Sequence, residues 1–137
     1  MAEHIERGIS FPFRVGVKGG AVMSIADSTT PQKIVESFQQ IICTNKFERS
    51  MEFQIYSQVE NFVFHANDDT LVSVLEYMVK DALNSLEKRA SVNDVVTTKV
   101  DLPDGSSMVA FAVNFTVLTT NKTYNTLLGT VSEGGVK

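Results

Sequence analysis

Charged side chains crowd two short stretches of this chain, Phe47-Glu48-Arg49-Ser50-Met51 and Leu86-Glu87-Lys88-Arg89, and their types and spacing can do chemistry. A carboxylate beside a guanidinium makes charge-assisted, two-pronged hydrogen bonds that fix a turn or dock a partner. The plainer reading of Glu87-Lys88-Arg89 is a solvated helix end whose cations complement the helix dipole. Acids can also hydrolyse. A glycosidase needs two carboxyl groups at a set separation, one of them in an apolar pocket that raises its pKa. Glu48, Glu52, Glu60 and Glu87 are available, but in a chain with 16 acids availability means little, and none stands in an active-site pattern. His65 has no Ser, Cys or carboxylate beside it in triad order and reads as a partly exposed polar residue. The single cysteine, Cys43, excludes an internal disulfide and reads as a small core residue. The expectation is therefore no enzyme, no cofactor and no metal site.

The element that must position the second cluster is a long helix over 69–89. Leu71, Val72, Leu75, Met78, Val79, Ala82, Leu83 and Leu86 recur three and four apart and form one wide apolar stripe. Asp68, Asp69 and Thr70 supply a cap and negative charge at its start, and Lys88 and Arg89 positive charge at its end. The first cluster follows another helix. Ser28-Thr29-Thr30 before Pro31 reads as a cap with proline at the first helical position, and Ile34, Val35, Phe38, Ile41 and Ile42 give the buried face of a helix reaching about Thr44. A short helical turn is expected over Gln58 to Phe64, with Val59, Phe62 and Val63 inward.

The chain changes character from Ser91, where β-branched residues replace helix formers. Val92 to Val100, Met108 to Leu118 and Thr123 to Thr130 read as antiparallel strands, joined by turns at 102–106 and at Asn121-Lys122. Val109, Phe111, Val113, Phe115 and Val117 occupy one face that must be buried, opposite a small or polar face. Residues 1–30 read as an irregular extended arm with Gly8, Gly16, Gly19 and Gly20, where the alternation from Ile9 to Val17 could form a short strand that Pro12 demotes to an edge or an arm. Gly16 to Gly20 lacks the Gly-Lys-Ser/Thr ending of a phosphate loop. The predicted architecture is α+β: helices on one face of a small, mainly antiparallel C-terminal sheet, in a single domain over 31–131 with a mobile tail over 132–137. Such a sheet has edges, and an edge is a template for another chain's strand.

Composition agrees with one globular domain: 137 residues, 43% hydrophobic and 20% charged. A net charge of −4 with scattered Lys and Arg gives no footprint for nucleic acid or an anionic membrane. The N-terminus lacks the basic-then-apolar order of a signal peptide, and no apolar run approaches the roughly 20 residues that span a bilayer. A soluble protein made in a cytoplasm is the expectation.

The order of these signals resembles a known family. Ser10-Phe11-Pro12-Phe13, a helix ending at Thr44, Phe47-Glu48-Arg49-Ser50-Met51, Phe62-Val63-Phe64, and a long helix closing on Glu87-Lys88-Arg89 before valine-rich strands are similar to the baseplate wedge and sheath-initiator family of contractile phage tails. These are the lysozyme-like baseplate wedge proteins, a family that includes the corresponding component of type VI secretion systems. Members carry Gly-Glu-Arg in place of Phe47-Glu48-Arg49, and Glu-Pro-Arg after a tryptophan in place of the residues from Leu86 to Arg89. Both charged pairs are kept here and both backbone specialists are lost. Proline would end the helix sharply, whereas Lys88 lets it run on by about a residue.

The resemblance implies structural work. Glu48, Arg49, Glu87, Lys88 and Arg89 would form the polar knot that binds wedge subunits. Thr123, Tyr124, Asn125, Thr126, Leu127 and Leu128 would form the strand that meets the sheath. The implied partners are baseplate wedge proteins and the tail sheath protein, with tail tube or hub proteins as further candidates, in six copies per baseplate. The implied location is the virion tail baseplate, assembled in the host cytoplasm. The rival readings are a muramidase-like baseplate protein, since some members of the family have been called lysozymes, and a type VI secretion or bacteriocin baseplate component with the same structural role.

Overall fold

The unbroken alternation from Val109 to Val117 becomes the middle of a sheet, and the rest of the chain is arranged to cover one side of it. The computed structural model describes residues 4–27, 30–59, 69–101, 103, 105, 107–132 and 135–136. Its elements are β1 (His4–Ile9), β2 (Met23–Asp27), α1 (Gln32–Ile42), α2 (Asp69–Leu86), β3 (Ala90–Asp101), β4 (Ser107–Val117), β5 (Lys122–Ser132) and β6 (Gly135–Val136). The C-terminal sheet runs β3-β4-β5-β6, antiparallel throughout, and β1 and β2 form a separate antiparallel pair. The fold is α+β, as the sequence predicts.

Period-two alternation on the strands and period-3.6 spacing on the helices meet in one core. Phe111, Val113, Phe115 and Val117 of β4 and Val92 and Val95 of β3 face Ile34, Phe38, Ile41 and Ile42 of α1 and Leu75, Val79 and Leu83 of α2. Phe38 meets Phe115 edge to face with ring centroids 4.9 Å apart, the arrangement that sets a ring's positive edge against its partner's negative face. Val92 and Val95 both point inward, which breaks strict alternation. A bulge between Val92 and Asp94 absorbs the extra residue. Asn121 closes the turn into β5 at φ 54, a conformation that asparagine tolerates better than most side chains.

Four expectations change. Residues 4–27 are a hairpin rather than an extended arm: β1 takes 4–9 instead of the alternating 9–17, and β2 lies antiparallel to it. The Gly16 N–H donates to the Gly20 carbonyl at 2.7 Å, and Gly19 sits at φ 83, so the glycines that interrupt the arm in sequence turn the hairpin in space. Pro31 precedes the first helical position rather than filling it, and its carbonyl accepts from Ile34 and Val35 at 3.0 and 3.1 Å. The long helix ends at Leu86, not Arg89. Residues 135–136 of the expected tail pair with Val131 and Ser132. Most of the short helical turn over Gln58 to Phe64, together with His65 and the capping Asp68, lies outside the described residues.

Candidate functional site

Where α2 stops, Arg89 turns back onto Glu87. Its Nε donates to Glu87 Oε1 at 2.7 Å, its second guanidinium nitrogen to Oε2 at 2.6 Å, and its own backbone N–H to Oε1 at 3.2 Å. This closed fork holds a carboxylate only 5% exposed. The Glu87 N–H still reaches the Leu83 carbonyl at 2.9 Å, and buried Ala90 opens β3. The fork therefore replaces proline as the device that stops the helix: two residues of turn are fixed by their own side chains, and the Arg89 carbonyl then accepts from Leu118 N–H at 3.0 Å. Lys88 stands exposed on the outside of the bend. Burial pushes the Arg89 guanidinium below its ordinary value, and a two-pronged carboxylate is the partner that such a cation needs.

The first charged pair is used differently. Asn45 N–H donates to Glu48 Oε2 at 2.7 Å and Glu48 N–H returns a bond to the Asn45 carbonyl at 3.3 Å, so Glu48 closes its own loop. Arg49 is exposed. Between them Phe47 is held at φ 70, a left-handed conformation that costs a bulky residue strain and a glycine almost nothing. That is the position where the resembled family carries glycine. The structure thus brings Glu87 and Arg89 together and ties Glu48 into the loop at 45–48.

An apolar surface surrounds that loop and has no counterpart in the sequence reading. Phe47 is 70% and Met51 93% exposed, with Phe53 exposed beside them and Lys46 lying over the Phe47 and Tyr56 rings at 5.2 and 5.6 Å. Apolar residues gathered in this way on a small protein mark surfaces that a partner covers. A cleft of about 320 Å³ lies between residues 54–58 and the last turns of α2, with Tyr56, Tyr77, Met78 and Leu86 in its walls.

Glu36 is a second feature without a sequence signal. It is buried on α1, accepts from Ser24 Oγ at 2.5 Å and from Gln32 Nε2 at 3.4 Å, and lies 3.9 Å from Lys33 Nζ. Lys33 also donates to the Ile9 carbonyl. A polar knot therefore fastens the hairpin to α1, and it uses neither of the charged pairs that stand out in the sequence. Among the described residues no group of three His, Cys, Asp or Glu could hold a metal ion, and no helix is long and apolar enough to cross a membrane.

The two edges of the sheet differ. On the side of β5 away from β4, the strand pairing among the described residues is that of β6 at Val131 and Ser132. Tyr124 and Leu128 turn inward, with the Tyr124 ring 5.9 Å from Phe115, while Leu127 is 73% exposed on the outer face. Along β3, α2 side chains bond the backbone. Thr97 N–H donates to Glu76 Oε1 at 2.7 Å, Lys80 Nζ donates to the Asn93 carbonyl at 2.8 Å, and Val92 N–H donates to Asn84 Oδ1 at 2.8 Å.

Comparison with known proteins places this fold. No protein-family model and no curated protein matches the chain. Solved structures do. One is a candidate tail lysozyme from Geobacter sulfurreducens, 25% identical over 70% of this chain and 85% of that one, with a TM-score of 0.62. Another is a chain of the baseplate of the anti-feeding prophage, in a six-fold symmetrised structure, 15% identical over 90% of this chain and 84% of that one, with a TM-score of 0.63. The chain has an α+β fold found in tail and baseplate assemblies.

Proposed function

We propose that this protein is a structural component of a contractile-tail baseplate, of the wedge and sheath-initiator kind, that joins wedge subunits and starts sheath polymerisation by accepting a strand on its C-terminal sheet. The observation that carries the reading is the β5 edge, which β6 occupies at its far end and leaves without a paired strand before Val131 among the described residues. A sheath strand laid along Thr123, Tyr124, Asn125, Thr126, Leu127 and Leu128 would extend the row that β6 begins, gaining main-chain hydrogen bonds from a preformed template. The likeness to a baseplate chain supports the setting.

Wedge subunits would meet the opposite part of the molecule. Glu48 and Arg49 sit on a loop whose apolar side chains are exposed, and the Glu87–Arg89 fork, with Lys88 outside it, stiffens the bend just after Leu86. The apolar residues provide area and the charges provide register. Tail tube or hub proteins are further candidate neighbours, and a six-fold baseplate would hold six copies in a tail particle.

Adjacent residues of a strand direct their N–H groups to opposite sides, so one of Asn125→Pro and Thr126→Pro removes an outward donor from β5. Baseplates carrying whichever variant keeps its circular dichroism should form and stay bare in electron micrographs. Full-length sheaths growing from them would overturn the β5 reading. The muramidase reading, which rests on the Geobacter likeness, has its own test. The purified protein should leave a peptidoglycan suspension turbid from acidic to neutral pH. Clearing that is abolished by Glu48→Gln or Glu87→Gln would replace the structural role with a catalytic one.

A further inference from the structure

The row of α2 that bonds β3 is regular. Glu76, Lys80 and Asn84 are four residues apart, one position along from the buried row of Leu75, Val79 and Leu83, so the helix that plugs the core lays its next face along the sheet edge. Asn84 both accepts from Val92 N–H at 2.8 Å and donates to the Val92 carbonyl at 3.4 Å, which is what the peptide group of a neighbouring strand would do. Glu76 takes the Thr97 N–H and Lys80 the Asn93 carbonyl. Asp94 Oδ1 takes the N–H of Val95 at 3.0 Å. Between Val92 and Thr97, the N–H groups of Val92, Val95 and Thr97 thus end on side chains.

We propose that α2 stands in for a β-strand along β3 through Glu76, Lys80 and Asn84, and that this seal keeps β3 from pairing with a second copy of this chain. The hazard is real for these strands. β3 has 12 residues and β5 has 11, about twice the usual strand length, and long edges invite pairing. The outer face also carries an exposed apolar side chain on each edge strand, Val96 on β3 and Leu127 on β5. A copy's strand would find backbone partners and an apolar neighbour together. With β3 sealed, β5 is the acceptor edge of this sheet, and a sheet with one acceptor edge takes one strand and does not propagate. This deepens the baseplate reading and rests on it for the identity of the strand that β5 takes, though the seal itself concerns this chain alone.

The test uses the purified full chain with no partner. Glu76→Ala, Lys80→Ala and Asn84→Ala together remove the row, keep strong helix formers in α2 and leave Leu75, Val79 and Leu83 in place. In the wild type, sedimentation velocity and amide exchange together should show no association through β3: the Val92 and Thr97 amides should exchange alike at every concentration. The triple variant should gain mass as concentration rises, with the Val92 and Thr97 amides exchanging faster in the dilute form and protected again in the associated form. Asn84→Ala alone, which removes the paired amide without a charge, carries the same readouts if the triple variant loses helix content. A folded variant that stays monomeric overturns the proposal, as does association in which the Val92 and Thr97 amides still exchange freely. Neither result touches sheath recruitment at β5, and failure of that recruitment would leave the seal standing.

Discussion

The two strands that flank β4 in the C-terminal sheet, β3 and β5, are alike in length and in their supply of threonine, asparagine and valine or leucine, yet they meet different neighbours. β3 follows directly from α2, so the same bend that ends the helix lays its polar row along the strand. β5 follows a turn at Asn121 and has no helix leading into it. Chain connectivity, more than strand composition, decides which edge is closed. Edge strands are ordinarily blunted by charge, proline or a bulge. Here a bulge at Asn93 and a helix's polar face share the task on the β3 side, and the β5 side is the one proposed to take a partner's strand.

The comparison breaks most completely where both edges share support. Phe115 is fully buried at the centre of β4, against Phe38 and Tyr124, so Phe115→Ala should cost about 3–5 kcal/mol in a denaturant melt and loosen both edges together. Loss of protection at one edge only would mean that the strands are supported separately. Next comes the bend that brings α2 to β3. Arg89→Ala leaves the Glu87 carboxylate buried without its cation, an expected loss of roughly 2–4 kcal/mol. Arg89→Lys should recover part of it, since an ammonium cannot make the two-pronged bond. An unchanged melt for Arg89→Ala would reduce the fork to an ornament on the surface.

Smaller effects sharpen the contrast between the edges themselves. Asn84→Ala strands the Val92 N–H and should cost about 1–2 kcal/mol, whereas Leu127→Asn on the outer face of β5 should stay within about 0.5 kcal/mol of the wild type. Equal effects would mean that the fold depends on the β5 edge as much as on the β3 edge. The smallest change concerns the loop at Phe47. Phe47→Gly relieves a left-handed φ and should raise stability by up to about 1 kcal/mol while weakening wedge binding, because the exposed ring is lost from the loop. A fall in the melt would show that the ring's contacts with Phe53 and Lys46 outweigh the strain.

Much of this fold is legible in the sequence because its core obeys two periods. The β4 face from Val109 to Val117 and the α1 face at Ile34, Phe38, Ile41 and Ile42 are where alternation and helical spacing place them. The α2 stripe proves narrower than its composition suggests: Leu75, Val79 and Leu83 are buried, while Val72 and Met78 are only half-covered. Glu76, Lys80 and Asn84 are visible as a polar row, but such a row on a helix reads as a solvated face until the strand beside it is known. The hairpin is hidden because β2's partner lies beyond a turn of more than ten residues, and nothing local says that Ser24 will be drawn in by Glu36. Glu87 and Arg89 are legible as a pair through their spacing. Their closing of the helix at Leu86 depends on a fork geometry that no sequence pattern encodes.

The central claim is that partners arrive at β5 and not at β3, and amide hydrogen exchange with and without the sheath subunit reads both edges in one measurement. The account predicts that amides within Thr123 to Leu128 gain protection on sheath binding, while those of Val92, Val95 and Thr97, already bonded to side chains, do not change. Protection gained along β3, or at the loop of Phe47 with β5 unaltered, would contradict it.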